Sequence, residues 1–490
     1  MRPSLNPMSW TRREFIRLAG MAGVGASMPL EAQQAQGRRD IPSFDGSFLV
    51  DDASLRIAAA DGGRMLNRPP MGVLKPASIN DVQQAVRYAN EHGVKVAIRG
   101  RGQSRYGQTL VANGIVIDSE PLQAIGNISG DTIEVQPGAA LERVLQTALD
   151  KGYTLPVTTR CIRLSVGGFI SAGGEGRGSQ RYGAFVDQVA SLDVVTGDGT
   201  VVTCSETRER ELFEMTLAGM GQCGVIVGAR LKVVRAPEEV ANRLLTYSSL
   251  AKFIRDQQRL AAEARFDFTR GDATSDPDGK WRYTISVANF GPPGKALDPH
   301  ERLRDLTHDT ISDLARQSYR AYAIGEGEQH LQDAARPLPQ RPPTPPQILA
   351  FPMLALWVPA RSVAEILSSL IRSPEDLAGL TDVECTALDT RRFRRPLFQI
   401  PSDDCMFSMW LKRSAIKDVG PGLQAQLDAN ARILERALRL GAKRYAPYGE
   451  IVSPGEWASH YGDATYARFQ AAKKRFDPRA VLSPGTGTFS

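Results

Sequence analysis

Residues 99–109 read RGRGQSRYGQT and separate two short apolar runs, VKVAI at 94–98 and GIVID at 114–118. Glycines at 100, 102 and 107 reach backbone shapes that a Cβ forbids, and the flanking runs have strand composition, so the segment is a loop between strands. A second glycine-dense stretch, SVGGFISAGGEGRGSQRYG, occupies 165–183, and its GRGSQRYG (176–183) shares six of eight positions with GRGQSRYG (100–107). The flanks differ, which indicates similar loop chemistry and not a solenoid repeat. Backbone N–H groups freed in such loops form anion nests, and the missing side chains admit a pyrophosphate and a planar ring. A third cluster, GMGQCG at 219–224, satisfies GxGxxG but follows a helical pattern and leads into a strand. Rossmann-type nicotinamide dinucleotide binding needs the reverse order, strand, turn and helix N-terminus, and is rejected.

Both loops lie in an alternation of helix and strand signals. PASINDVQQAVRYANEHG (76–93) predicts a helix with Ser78 and Asn80 near its start, Val82, Ala85, Val86 and Ala89 on one face, and Gly93 as its stop. Residues 131–156 predict a strand, a turn at Pro137-Gly138, a helix over 139–150 and a stop at Gly152. Residues 186–235 predict a hairpin around Gly197 to Gly199, a helix in ERELFEMTLAG and a strand in GVIVGARLKVV. From about 240 to 430 glycine thins out; helices are expected at 250–265 and 300–323, with strands in RYTISVANF (282–290), ILAFPMLALWVP (348–359) and CMFSMWLKR (405–413). Six prolines between 337 and 346 mark an extended surface loop, and a helix at 423–440 precedes the ending KRFDPRAVLSPGTGTF. The organisation is α+β, and 490 residues at 42% hydrophobic content suffice for two or three domains.

Arg12 and Arg13 precede a weakly apolar Gly/Ala stretch within WTRREFIRLAGMAGVGASMPL (10–30), followed by small residues at Ala32 and Ala35. This predicts a twin-arginine export signal over 1–35, engagement of the twin-arginine translocase, and a periplasmic or secreted mature chain exported already folded. Folded export suits a protein that acquires its cofactor before crossing the membrane. No other apolar run approaches the roughly twenty residues of a bilayer span. Removing 1–35 takes away Arg2, Arg12, Arg13, Arg17, Glu14 and Glu31, lowering the formal charge from +6 to +4. With no Lys/Arg block, no nucleic-acid partner is expected. The cysteines (161, 204, 223, 385, 405) form no CxxC pair and the histidines (92, 300, 308, 330, 460) are scattered, so neither a metal site nor a disulfide framework is expected.

Taken together, PASINDVQQAVRYANEHGVKVAIRGRGQS, VGGFISAGG, LDVVTGDGTVVTCSE, LFEMTLAGMGQCGVIVGARL and FDPRAVLSPGTGTF resemble flavoproteins with a vanillyl-alcohol-oxidase/PCMH-type FAD-binding domain. Within that family the pattern is most similar to cytokinin dehydrogenases, through GRGQSRYGQ, DVVTGDGTVVTCSE, FPMLALWVPARS and the stretch from EWASHYG to LSPG. The resemblance implies a two-subdomain FAD-binding domain at 36–240, completed by a C-terminal segment at 431–490, with an inserted α+β substrate (cap) domain at 241–430 roofing the flavin. It implies FAD, with the pyrophosphate at Gly100, Gly102, Ser104 and Gln108 and further contacts from Gly167, Gly168, Ser171, Gly173, Ile226 and Ser483. Arg99, Arg101, Gln103, Ser165, Gly174 and Tyr448 complete the expected cofactor set. It further implies a small-molecule substrate (an alcohol, a sugar derivative or an amine) that gives up a hydride, and an acceptor such as oxygen or a quinone.

Several positions depart from the family pattern. Where Gln103 stands, the family loop carries a histidine bonded covalently to the flavin; a glutamine amide is not nucleophilic, so non-covalent FAD is expected. Where Arg160 stands, cytokinin dehydrogenases carry an aspartate that assists deprotonation of the substrate amine. Arginine cannot act as that base and is expected to favour an anionic substrate or to stabilise negative charge on reduced flavin. A cytokinin-like or amine dehydrogenase would then need another base, and a flavin-binding protein with little activity is the alternative from a different class. Cys161, six residues before Gly167, is placed like the flavin-linked cysteine of proteins related to berberine bridge enzyme; the link needs a thiol pKa lowered by the adjacent Arg160, and a small buried filler is the alternative. Arg160, Tyr182, Asp187 and Glu384 are candidate catalytic groups, with Glu175 and Asp389 as further possible bases. The run DTRRFRRP (389–396) gathers four arginines, either to bind a carboxylate or sugar acid or as a solvated strand face.

Overall fold

The computed structural model describes residues 41–275, 279–292, 299–325, 349–416, 422–449 and 453–489; the export motif and the proline-rich stretch lie outside them. Helix Ile79–His92 begins where the Ser78 side chain accepts the Asp81 N–H and ends at Gly93, whose φ of +67° is left-handed. Its apolar face buries Val82, Ala85, Val86 and Ala89 completely or nearly so, each larger side chain contributing about 1.5–3 kcal/mol. The adjacent four-stranded sheet runs in the order Ser47–Leu49, Gly72–Lys75, Ile115–Asp118, Val96–Arg99. Val96–Arg99 and Ile115–Asp118 are parallel neighbours. Parallel strands need a long crossover, and here that crossover is the first glycine loop.

A five-stranded antiparallel sheet follows, in the order Ile125–Ser129, Thr132–Val135, Val225–Lys232, Val189–Val195, Val201–Ser205. Its inward residues, among them Ile133, Leu192, Val194 and Ala229, share one core with Leu141 and Val144 of helix Leu141–Leu149, Val166 and Ile170 of helix Val166–Ala172, and Phe213 of helix Arg210–Thr216. The C-terminal helices Pro454–Tyr461 and Asp463–Phe476 add Trp457, Tyr461 and Phe469 to that core. Beyond them Leu482 bridges to Val96 beside the first glycine loop.

Among the described residues the second layer is an eight-stranded sheet, ordered Thr310–Ser318, Glu239–Tyr247, Trp281–Gly291, Phe268–Ser275, Leu380–Asp389, Cys405–Arg413, Leu354–Pro359, Lys443–Arg444. Helices Leu250–Glu263, Val363–Arg372 and Gly422–Arg439 share its core through Phe253, Ile366, Leu370, Ile433 and Ala437. The expected boundary at 430/431 therefore falls inside a helix that packs on this sheet. The helix expected at 300–323 is corrected: Pro299–Leu303 is helical, but Thr310–Ser318 is a strand. Its backbone pairs with Glu239–Tyr247 from Thr246↔Thr310 to Glu239↔Ser318, and an available sheet edge outweighs a weak local helix preference. The run at 348–359 splits into Leu349–Ala350 and Leu354–Pro359, with Pro352, which has no N–H to donate, in the break.

Candidate functional site

Close approach explains the glycines of the first loop. A methyl group on Gly100 would collide with Ser165 Oγ, the residue that opens helix Val166–Ala172, so the two glycine loops pack directly on each other. Gly102 has φ +65° and lies against the Arg99 guanidinium, which donates from Nη1 to Ala60 O at 2.9 Å. The Gly62 N–H donates to Ser104 O at 2.7 Å, fixing the loop from its other side. So held, the amide N–H groups of Arg101 through Arg105 donate to no acceptor among the described residues. Consecutive free amides around a left-handed residue are the geometry of an anion nest.

The side chains around this nest tie the loop down. Arg101 pairs with Glu120 at 2.5 Å, Ser104 Oγ bonds Thr109 Oγ1 at 3.2 Å, and Gln108 Nε2 donates to Pro447 O at 3.3 Å. Gln103 is exposed. In the second loop Gly167 packs on Pro137 and Gly173, at φ +101°, on Phe398, while Gly168 is exposed. Ser171 O accepts the Met220 N–H at 3.0 Å, and Gly174 N–H donates to the Tyr445 hydroxyl at 3.1 Å. Ser483 donates its N–H to Val96 O at 2.7 Å and accepts Gln222 Nε2 at 2.8 Å. The rejected GxGxxG cluster thus braces the C-terminal tail beside the loop, with Ile226 buried on the strand that follows.

Facing these loops, the period-two alternation of three sheet strands presents a polar face. Glu384 sits opposite Asp272 on one neighbouring strand and opposite Trp410 on the other. Arg270 and Asp272, Asp382 and Glu384, and Ser408, Trp410 and Lys412 share this face, while Ala273, Val383, Cys385, Met409 and Leu411 point into the second core. Trp410 meets Tyr448 edge to face at 4.9 Å, and Tyr448 carries the Arg105 guanidinium 5.8 Å from its ring. Arg105 and Tyr448 link this face to the first loop. Arg160 and Glu175 link it to the second.

Glu384 Oε2 lies 3.6 Å from Arg160 Nη1 and 3.5 Å from both Arg270 Nε and Lys412 Nζ. Burial would raise this carboxyl, yet Arg270, Lys412 and Arg160 together hold it below the ordinary carboxylate range. Arg160 is thus engaged by Glu384 and does not stand as a spare cation. Asp382 is paired with Lys412 at 2.7 Å and Asp272 with Arg270 at 2.6 Å. Glu175 differs: Ser408 Oγ donates to it at 3.2 Å, the Trp410 side chain adds a weaker hydrogen-bonding influence, and no cation pairs with it among the described residues. Burial, followed by the charge of Glu384, pushes it up to about 7. Burial also raises the Cys161 thiol despite Arg105, Arg160 and Lys412. The condition for a flavin link, a thiol lowered by its neighbouring cation, runs against this shift, because desolvation of a thiolate outweighs the attraction.

The other candidates lie elsewhere or are locked. Asp187 is fully buried, accepting the Ala184 and Arg394 N–H groups at 2.8 and 3.2 Å with Arg395 Nε at 3.7 Å. Asp389 is held by Arg391 at 2.9 Å and Arg392 at 3.7 Å, and Arg395 also reaches Glu206 at 2.8 Å, so three of the four clustered arginines neutralise carboxylates of the chain itself. Tyr182 lines a separate cavity of about 420 Å³ with Arg177, Arg181, Phe290 and Tyr319. In the second GRG segment, methyls on Gly176 and Gly178 would strike Thr158 O and Pro156 O; it is a tight structural turn. The two echoing Arg-Tyr pairs have a shared use, because Tyr106 Oη donates to Met353 O at 2.7 Å and Arg181 pairs with Asp267 at 2.8 Å. Both tie the loops to the segment between 267 and 353. Sequence reasoning missed Arg105, Arg270, Asp272, Ser408, Trp410 and Lys412, although the alternation in CMFSMWLKR already placed the last three on one face.

Comparison with known proteins agrees with this geometry. Residues 70–205 match the family described as "FAD binding domain", and residues 349–489 match "Cytokinin dehydrogenase 1, FAD and cytokinin binding". An uncharacterised oxidoreductase of the fasciation locus of Rhodococcoides fascians is 32% identical over 90% of this chain and 99% of its own. Cytokinin dehydrogenase 9 of Oryza sativa subsp. japonica is 27% identical over 100% of this chain and 98% of its own. The solved structure of 6-hydroxy-D-nicotine oxidase from Arthrobacter nicotinovorans shares the fold, with a TM-score of 0.69 at 20% identity, covering 91% of this chain and 98% of that one. Two packed glycine loops under a polar sheet face, and a relative matched along nearly its whole length, place the chain in the PCMH-type family of FAD-binding oxidoreductases, and it is an FAD-dependent oxidoreductase.

Proposed function

We propose that the protein oxidises a small, uncharged organic molecule, an amine, alcohol or sugar derivative, using FAD that it holds without a covalent bond. The observation that carries this reading is the nest of free amides at Arg101 through Arg105, packed through Gly100 on Ser165 and facing the polar sheet. The residues present fit FAD: the nest, with Gly100, Gly102, Ser104 and Gln108, suits a pyrophosphate, and Gly167, Gly168, Ser171, Gly173, Gly174, Ile226, Tyr448 and Ser483 offer small or flat surface to the remainder. Arg99, Arg101 and Ser165 hold the loop's shape. Bound there, FAD supplies a two-electron acceptor. Non-covalent binding is supported by the unreactive amide of Gln103 and by the raised Cys161 thiol. An uncharged substrate is supported by the balance of charge on this face, where Arg160, Arg270 and Lys412 are paired among Glu384, Asp272 and Asp382. Relatives named cytokinin dehydrogenases make an N-substituted amine the first class to test. The twin-arginine motif at residues 10–30 supports delivery of the folded holoprotein to the periplasm.

The test is anaerobic bleaching of the flavin by isopentenyladenine, benzyl alcohol, D-glucose and D-gluconate. Bleaching by one of the three uncharged compounds, with gluconate inert, is expected. Preference for gluconate would overturn the charge argument, and reduction by dithionite alone would overturn the substrate reading. Acid precipitation should leave the yellow colour in the supernatant; a yellow pellet would point to Cys161.

A further inference from the structure

We infer that Glu175 takes up the proton from the substrate's N–H or O–H group and that Glu384, the other central carboxylate, does not. The inference rests on the oxidation reading above and names its proton acceptor. Converting an H–C–X–H unit, with X nitrogen or oxygen, into C=X breaks the C–H and X–H bonds. The hydride and its electron pair go to the bound FAD, and the X–H proton goes to a Glu175 carboxylate oxygen, to be released to solvent before the next turnover.

Geometry separates the two carboxylates. Glu384 is ringed by Arg160, Arg270 and Lys412, three cations within 3.6 Å, and protonating it would leave Arg160 without its counter-charge and Arg270 and Lys412 with only Asp272 and Asp382. Glu175 lies within the second glycine-dense stretch, and among the described residues it has no cation of its own. Trp410 Nε1 donates to Ser408 Oγ at 2.9 Å, so the hydroxyl proton of Ser408 is directed at Glu175. Around it stand Glu384 from strand Leu380–Asp389, Ser408 and Trp410 from strand Cys405–Arg413, and Tyr445, whose hydroxyl is engaged by the Gly174 N–H; Arg160, Arg270 and Lys412 contact Glu384. The remaining titratable candidates are excluded by position. Asp272 is bound to Arg270, Asp187 is locked by backbone donors, and Tyr182 belongs to another cavity. A base poised near neutrality both accepts and releases protons efficiently at physiological pH, and burial beside Glu384 puts Glu175 at about 7.

Three measurements test the assignment. In Glu175→Gln, reduction of the flavin by the best substrate of the panel should slow by about 10²- to 10⁴-fold at pH 8, and the rise in rate through neutral pH should vanish while flavin content and dithionite reduction stay as in the parent. In Glu384→Gln the rise should persist but move to lower pH, because a like charge is removed and the cations it balanced are uncovered. The opposite pattern, with the rise surviving Glu175→Gln or disappearing in Glu384→Gln, overturns the inference. Infrared titration of the oxidised, substrate-free holoprotein is independent of turnover. A carboxyl band titrating near pH 7 in the parent and missing from Glu175→Gln supports the inference, and its absence from the parent, or its persistence in the variant, overturns it. Failure of every panel compound to bleach the flavin would count against the oxidation reading, while the infrared result still decides whether Glu175 has a base's titration.

Discussion

Single side chains decide how this site is built and charged. Gly100 and Gly93 make the contrast plain: a methyl at Gly100 meets Ser165 Oγ, whereas nothing lies within 4 Å of one at Gly93. Gly100→Ala should lower the FAD content of purified protein several-fold, because Ser165 must swing into the loop. Gly93→Ala should leave FAD bound and cost about 1 kcal/mol for its left-handed φ of +67°. Flavin absorbance per polypeptide and thermal melts read both outcomes; equal flavin loss in the two would refute the packing argument. His460 shows a charge set by burial. It is pushed down to about 3 by desolvation, with Arg444 and Lys443 adding to the effect. A histidine pKa depressed in the folded state gives stability that is present above the ordinary value of 6.5 and lost as pH falls from there toward about 3. His460→Gln should therefore flatten the decline of the melting temperature between pH 6.5 and pH 4; an unchanged slope would assign that decline to other groups.

At the scale of elements, the C-terminal tail is joined to the glycine loops by one buried ion pair. Lys473 Nζ donates to Asp477 Oδ2 at 2.6 Å, to Gln222 O at 3.0 Å and to Leu482 O at 3.0 Å. Asp477 in turn accepts the Val481 and Leu482 N–H groups at 3.0 and 2.9 Å. One side chain thus fastens helix Asp463–Phe476, the GMGQCG cluster and the tail that carries Ser483. Lys473→Met leaves Asp477 buried and uncompensated and should cost about 3–5 kcal/mol, measured by denaturant unfolding of the holoprotein. A loss below 1 kcal/mol would show that water replaces the lysine. The element scale is also where local reading failed. Residues 310–318 carry no strong strand signal of their own, and their state was decided by the edge of Glu239–Tyr247. Helix Ile79–His92, by contrast, carries its cap, its apolar face and its stop in contiguous residues, and such an element is legible without its neighbours.

For the whole molecule, the export reading concerns where the folded protein works. Arg12→Lys with Arg13→Lys should retain the holoprotein in the cytoplasm, seen by fractionation of expressing cells, and unimpaired export would remove the twin-arginine route. The two domains meet at the site, and the sequence made parts of that meeting legible. The glycine spacing in RGRGQSRYGQT and SVGGFISAGG, the FAD chemistry it suits and the absence of a nucleophile at Gln103 are properties of neighbouring residues, and the sequence by itself determined them. Which carboxylate is free was decided only by the tertiary structure. Arg160 and Glu384 are far apart in the chain, and Glu384 becomes an ion-paired carboxylate only because a strand register sets it beside Arg270 and Lys412 and the fold brings Arg160 to it. Glu175, Cys161 and His460 take their proton affinities from desolvation, a quantity that the burial of a side chain creates and that no local pattern of residues encodes.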